Sequence, residues 1–157
     1  MVDFIVTETA EMPYLYTERT TSMDPAEISE KMGAAFQQVW EFMNANAIEP
    51  TGAALSVYYD YSPDTMSFRA GFSISHEDMA KAGGDVKADK TPGGKALHFV
   101  HKGSYETLRH DYELMMEHLE ENGLEASVPS WEIYLNSPDT TPEDELLTEC
   151  YLALVWG

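Results

Sequence analysis

The stretch Trp131–Leu135 reads WEIYL and has the alternation from which the rest of the sequence can be interpreted. Successive side chains of a β-strand point to opposite faces, so Trp131 shares one face with the aliphatic residues of the stretch, and Glu132 and Tyr134 share the other. We expect the apolar face to pack under a helix. This predicts that Glu132 and Tyr134 lie on the open face of a sheet, where a ligand can reach them.

Strand and helix patterns surround this stretch in a regular order. Lys95–Lys102 and Leu146–Val155 are rich in the residues and alternation typical of strands. Between the first of them and the WEIYL strand, apolar residues at helical spacing predict a helix from about Tyr105 to Glu121, which Gly123 ends. The second half of the chain is therefore predicted to run strand, helix, strand, strand.

The first half of the chain repeats that order. Val2–Glu18 is strand-like, and a helix is predicted over Pro25–Ala45, where a proline occupies the first helical position. Ala53–Tyr61 and Met66–Ser75 resemble the two arms of a hairpin. His76–Gly94, with its lysines and glycines, is predicted to be a loop.

An offset of 76 residues pairs Val57 with Ile133 and Tyr58 with Tyr134. We therefore predict one α+β domain over residues 1–157, built from pseudo-repeats of about 1–78 and 79–157. These tandem strand-helix-strand-strand units would form a curved antiparallel sheet with two helices on one face and a central ligand cleft on the other. Ser56 and Tyr58 would then face the same cleft as Glu132 and Tyr134.

The predicted cleft combines a carboxylate with aromatic walls. Burying Glu132 is costly unless a cation or hydrogen-bond donors meet it, and aromatic faces attract cations, so the cleft favours lipophilic cationic ligands. Tyr134, Tyr58 and Tyr151 are the candidate walls, whereas Trp40 lies on the inward stripe of the first helix and is expected in the core. The alternative from the residues is that Glu132 is an ordinary solvent-facing glutamate on a half-exposed sheet.

The strong acidity excludes several kinds of partner. The 28 acidic and 9 basic residues give a formal net charge of −19, which repels phosphate backbones and anionic lipid surfaces. We expect no direct nucleic-acid or membrane partner. A single cysteine, Cys150, and an N-terminus that lacks the pattern of a signal peptide are consistent with a cytoplasmic protein.

No cofactor and no metal site are predicted. His98 and His101 are three residues apart on a strand and therefore point to opposite faces. The glycine pairs Gly83-Gly84 and Gly93-Gly94 do not follow a strand with a phosphate-loop pattern.

The C-terminal third resembles the GyrI-like family of effector-binding domains. The resemblance rests on Gly103–Leu108 (GSYETL), on Glu132–Pro138 (EIYLNSP) and on Glu145–Tyr151 (ELLTECY). It implies two modules around a central cleft, with Glu132, in the Glu-x-Tyr motif, as the buried acid that meets the ligand. Tyr105, at the entry of the second helix, is a further candidate contact.

Three functions remain open at this point. The first is a small-molecule binding module that sequesters a drug-like compound, or passes a signal to a separate regulator protein, without a DNA-binding segment of its own. The second, which the resemblance implies, is a hydrolase of strained cyclopropane-bearing compounds, with Glu132 as general base and Tyr105 or Tyr134 as hydrogen-bond donor. The third is a protein inhibitor of DNA gyrase. The residues alone do not decide whether the chain is an enzyme.

Overall fold

The computed structural model describes residues 3–52, 54–61, 64–104, 107–136 and 140–155. Antiparallel strands and two α-helices make up most of this part of the chain, which confirms the α+β class. The elements are β1 (Ile5–Thr9), β2 (Pro13–Ser22), α1 (Pro25–Ala45), β3 (Ala54–Tyr61), β4 (Thr65–Ser73), β5 (Lys87–Lys90), β6 (Gly94–Lys102), α2 (Leu108–Glu121), β7 (Ala126–Tyr134) and β8 (Leu147–Leu154). Among the described residues, no helix is both long enough and apolar enough to cross a membrane.

The chain divides into two compact units. The first unit is Ala10–Pro92, and the second unit consists of Met1–Thr9 together with Gly93–Gly157. Their bounds differ from the predicted pseudo-repeats because β5 pairs with β2 and β1 pairs with β6. The evolutionary duplication and the cleft between the repeats stay predictions.

In the first unit the antiparallel strand order is β3-β4-β2-β5. Helix α1 covers one face of this sheet, because its residues Val39 and Met43 are buried against Leu15 of β2 and Ile74. A second cluster, nearer the start of α1, joins Ala35 to Phe68 of β4. These contacts fix which residues of the sheet lie under the helix.

In the second unit the antiparallel order is β1-β6-β8-β7. Helix α2 packs on one face through Met115 and Leu119, which contact a buried cluster formed by β6 and β8. Phe99 and Cys150 belong to this cluster. The helix-covered face of the second unit is thus defined by alternate residues of β6 and β8, starting from these two.

Most predicted elements are confirmed, including the bounds of α1 and the strand that contains WEIYL. The predicted loop over His76–Gly94 is wrong in part, since it contains a 3-10 helix at His76–Lys81 and the short strand β5. The expected burial of Trp40 is also wrong. Its side chain is 44% exposed, with the ring 5.5 Å from that of Phe72. It lies at the border of the buried stripe of α1 and covers the edge of the core.

Candidate functional site

Glu132 lies on β7 in the second unit and is 6% exposed. Its paired residue on the neighbouring strand β8 is Cys150, a member of the cluster under α2. The hydroxyl of Tyr112 on α2 donates to Oε2 of Glu132 at 2.5 Å, and the hydroxyl of Tyr134 donates to Oε1 at 2.8 Å. The carboxylate is therefore held between its own strand and the helix.

The expectation that Glu132 and Tyr134 lie on the open face of the sheet is wrong. Both residues face α2, and Trp131 lies on the opposite face, where its ring stacks on Tyr151 at 5.2 Å with an interplanar angle of 11°. The alternation of β7 was predicted correctly, but the covered face was assigned in reverse. The cause is that both faces bury side chains, so Trp131, at 2% exposure, needs no helix above it.

The two phenols make the buried carboxylate tolerable. An ionised carboxylate loses its hydration when it is buried, and hydrogen bonds to a charged group recover more of that loss than bonds between neutral groups. Each oxygen of Glu132 receives one of these two phenolic hydrogens. The same negative charge, together with burial as the larger cause, raises the pKa of the neighbouring Cys150 thiol, which therefore stays protonated and inert at neutral pH.

The hydroxyl of Thr148 is a further buried polar group on the face of the sheet that α2 covers. Within the described parts of the chain, the buried hydroxyl of Thr148 has no hydrogen-bond partner. Thr148 stands opposite Tyr134 on one side and opposite His101 on the other. An unpaired buried hydroxyl costs free energy, so this position next to Tyr134 has unused hydrogen-bonding capacity.

Tyr151, a predicted wall of the cleft, lies on the opposite face from Glu132. Its ring also contacts that of His98 at 4.6 Å, and His98 Nε2 lies 3.2 Å from Oε1 of Glu149. Burial, with a smaller contribution from Glu149, raises the pKa of Tyr151. This cluster of Trp131, Tyr151, His98 and Glu149 is therefore separate from the Glu132 cluster.

Ser56 and Tyr58 occupy the matching positions of the first unit. Both face α1, since their partners on β4 are Ala70 and Phe68 of the cluster under that helix. The hydroxyl of Ser56 donates to that of Tyr58 at 3.0 Å. These two residues form a neutral pair, and their predicted contact with a ligand stays a prediction.

Tyr105 lies outside the described residues, so its predicted role stays a prediction. Among the described residues, no group of three or more histidine, cysteine, aspartate or glutamate side chains could hold a metal ion. His98 and His101 do point to opposite faces of β6, as predicted, because His98 contacts Glu149 and His101 contacts Asp111 of α2.

Sequence reasoning missed two residues of the Glu132 cluster. Tyr112 follows the helical spacing of the apolar residues of α2, but nothing in that spacing connects it to an acid 20 residues later. Thr148 was overlooked because a threonine in a strand is ordinary, and its lack of a partner is visible only in three dimensions.

The fold resembles solved structures at low sequence identity. The C-terminal domain of EcmrR matches with a TM-score of 0.84 and 20% identity, over 99% of this chain and 98% of that one. SAV2435 bound to tetraphenylphosphonium matches with a TM-score of 0.67 and 12% identity, over 98% and 94% of the chains. A hydrolase encoded by lin2189 from Listeria innocua matches with a TM-score of 0.62 and 13% identity, over 97% and 91%.

None of the curated proteins matches this chain. The model of the GyrI-like small molecule binding domain matches residues 3–155, which is nearly the whole sequence. The chain therefore belongs to the family of GyrI-like small molecule binding domains.

Proposed function

We propose that this chain binds lipophilic small molecules that carry a positive charge, and that Glu132 is the group that meets the charge. The observation that supports this is a carboxylate at 6% exposure whose two oxygens receive hydrogens from Tyr112 and Tyr134. Burial makes a carboxylate expensive to keep ionised, and a bound cation offsets that cost more fully than neutral donors do. The site therefore favours a cation over a neutral molecule of the same shape.

The surroundings of Glu132 match the apolar part of such a ligand. Tyr112 packs against the apolar cluster under α2, and its ring meets that of Phe99 edge to face at 5.6 Å. Aromatic faces attract cations and provide apolar contact in the same place. The formal net charge of −19 attracts cations from solution and increases their rate of encounter.

Access to Glu132 requires a local rearrangement. Because the side chain is nearly buried and bonded to two phenols, a ligand reaches the carboxylate only when Tyr112 or Tyr134 gives way. The unpaired hydroxyl of Thr148, next to Tyr134, can then accept a hydrogen bond from a polar group of the ligand or donate one to it. Affinity is reduced by the free energy of this opening.

We further propose that binding serves as a signal or as sequestration. EcmrR, whose C-terminal domain has this fold, is also known in a complex with DNA, and SAV2435 is known with tetraphenylphosphonium bound. A chain with this charge would act on DNA through a regulator protein rather than by direct contact. In the absence of such a partner, the same site would lower the free concentration of its ligand.

The test is a calorimetric titration with tetraphenylphosphonium and with tetraphenylborate, which have nearly the same shape and opposite charge. We expect saturable binding of the cation only, and a loss of about tenfold or more in affinity for Glu132→Gln, the scale of a lost charge-assisted contact. Glu125→Gln is the matched control, because Glu125 is exposed in the same unit and carries the same formal charge. Equal weakening by both variants would reduce the effect to net charge and overturn the assignment of Glu132.

A second function is supported by the pairing of a carboxylate with a phenolic donor. In a hydrolase, Glu132 would take a proton from water while the resulting hydroxide attacks a strained cyclopropane carbon and the ring C–C bond to that carbon breaks. Tyr134 would donate a proton or hydrogen bond to the atom that takes up the electron pair of the broken bond. A neighbour in fold is described as a hydrolase. Turnover of a cyclopropane-bearing alkylating compound that disappears in Glu132→Gln would support this function, and no turnover by the wild type would remove it.

A further inference from the structure

A second buried polar cluster lies at the start of α2. His101 of β6 and Asp111 of α2 are both buried, and Nδ1 of His101 bonds to Oδ2 of Asp111. On the other side of the ring, Nε2 lies 2.8 Å from the carbonyl oxygen of Ser104 and 3.1 Å from Oγ1 of Thr107. His101 thus joins the end of β6, the connection to α2 and the first turn of the helix.

The partners of the imidazole decide where its protons are. The hydroxyl of Thr107 donates to the carbonyl of Ser104 at 2.9 Å, so its hydrogen is already committed. A carbonyl oxygen can only accept, and therefore Nε2 must donate. On the opposite side, Nδ1 faces an oxygen of Asp111, and with Asp111 ionised Nδ1 donates as well. A ring in which both nitrogens donate is an imidazolium.

The same three side chains have the connectivity of a nucleophilic triad, with Asp111, His101 and Thr107 in the roles of acid, base and nucleophile. A triad needs an unprotonated Nε2 to accept the hydroxyl proton. The carbonyl of Ser104, 2.8 Å from Nε2, would then face a nitrogen lone pair. With the protons placed in this way, Nε2 has no lone pair to accept the Thr107 proton, and the group connects the helix to β6.

We propose that the His101 imidazolium and Asp111 form a proton-dependent anchor that positions Tyr112 over Glu132. Tyr112 directly follows Asp111 in α2 and donates to Glu132. When His101 loses a proton, one ring nitrogen turns a lone pair toward an acceptor, the first turn of α2 loosens, and Tyr112 leaves the carboxylate. His101 is thus a positioning residue, and the proposal rests on the proposed function only in treating Glu132 as the ligand-binding acid.

The surroundings of the pair contain other titrating groups. His101 and Asp111 line a surface depression of about 670 Å³ in the second unit. Negative charge from Asp111 and Glu132 also acts on the Cys150 thiol of β8. The charged or titratable groups that line this depression with the pair are Lys102, His110, Glu117, His118 and Glu121, and Cys150 of β8 feels the charge of Asp111. The test must therefore report on His101 itself.

The first measurement is the ¹⁵N spectrum of the His101 ring in the wild-type protein near neutral pH. We expect two protonated ring nitrogens, the signature of an imidazolium. A neutral ring with one unprotonated nitrogen overturns the proposal, and this result does not depend on whether any variant folds.

The second measurement uses the chain's single cysteine as a reporter. Cys150 is 1% exposed beneath α2, so a thiol reagent reaches it only when the helix opens. We expect His101→Gln to increase the labelling rate about tenfold or more at mildly acidic pH, the scale of a lost bond between charged groups. His98→Gln is the matched control, because His98 lies on the other face of the same strand.

The pH profile separates a proton-dependent anchor from a merely structural one. As the pH rises through the range in which histidine side chains change charge, about pH 5–8, the labelling rates of wild type and His101→Gln should converge, because the anchor depends on the imidazolium. Taking the ratio at each pH cancels the ionisation of the thiol itself. A ratio that does not change with pH, or equal labelling of His101→Gln and His98→Gln, overturns the proposal. No ligand is used, so the outcome is independent of the proposed binding of cations.

Discussion

The two units have the same strand order around one helix, but they place their charges differently. In the first unit the space under α1 contains the neutral pair Ser56 and Tyr58. In the second unit the corresponding space under α2 contains the carboxylate of Glu132. Among the side chains that the structure describes, a strand carboxylate buried under the helix is found in the second unit and not in the first. This difference supports the proposed role of Glu132 in binding.

The first unit carries a partly exposed ion pair on the other face of its sheet. Nη1 of Arg69 lies 2.7 Å from Oδ2 of Asp89 and 3.1 Å from the hydroxyl of Tyr14, and the guanidinium lies over the ring of Tyr16 at 4.4 Å. This group resembles a structural ion pair, since a positive charge, a negative charge and aromatic rings are already matched. The acid of the second unit is bonded instead to phenols.

The largest difference between the units is expected when one tyrosine hydroxyl is removed from each and the free energy of unfolding is compared. We expect Tyr112→Phe to lower the free energy of unfolding by about 1.5–3 kcal/mol, because it removes a donor to a buried carboxylate. Tyr58→Phe removes a bond between neutral hydroxyls and should cost about 0.5–1.5 kcal/mol. Urea denaturation of both variants checks this order, and equal costs would contradict it.

A smaller contrast compares two buried threonines. Thr17 of β2 donates to the carbonyl of Ala35 in α1 at 3.5 Å, whereas the hydroxyl of Thr148 has no partner among the residues that the structure describes. Replacing Thr148 by valine removes an unsatisfied hydroxyl, so we expect a gain of up to about 1 kcal/mol in the free energy of unfolding. Thr17→Val should lose about 0.5–1 kcal/mol. A loss in Thr148→Val as large as in Thr17→Val would show that its hydroxyl is bonded, for example to a buried water.

The smallest effect concerns the start of α1, where hydrogen bonds to Glu27 take the place of the histidine contact at the start of α2. Hydrogen bonds from Ser22 and then Thr21 lower the pKa of Glu27 from 4.5 to about 2. Because the pKa is depressed in the folded protein, the stabilisation is complete above about pH 4.5 and is lost as the pH falls toward 2.

Unfolding of Glu27→Gln and wild type should therefore differ slightly at neutral pH and converge in acid. Glu30→Gln, an exposed substitution one turn along the same helix, is the control and should follow the wild type at every pH. A constant difference between Glu27→Gln and wild type across this range would contradict the assignment. On these assignments, the start of α1 is destabilised as the pH falls, whereas the start of α2 is destabilised when His101 loses a proton.

Local patterns predicted most of the elements and little of the packing. The bounds of α1 follow from the proline at its start and from apolar residues at helical spacing, which are local signals. The strand β5 was missed because its residues, KADK, have no apolar alternation, and its pairing with β2 is made more than 70 residues away in sequence. β5 is a strand because its backbone pairs with β2, and this pairing leaves no local pattern in the sequence.

The candidate site shows the same limit. Alternation correctly grouped Glu132 with Tyr134, because that relation is fixed by the geometry of a single strand. It could not say which face the helix covers, since Trp131 and Glu132 are both buried. The contacts from Tyr112 to Glu132 and from Asp111 to His101 join separate elements, and no spacing in the sequence encodes them.

The stacking of Trp131 on Tyr151 has a spectroscopic consequence. Trp131 is shielded from solvent in the second unit, whereas Trp40 is partly exposed in the first. An indole in an apolar stack emits at shorter wavelength and resists quenching by iodide, and an exposed indole emits further to the red and is quenched. The chain has a third tryptophan, Trp156, which lies outside the described residues. Once Trp156 is replaced by phenylalanine, each unit contains one tryptophan with its own emission, and the loss of one emission before the other would show that the two units unfold one at a time.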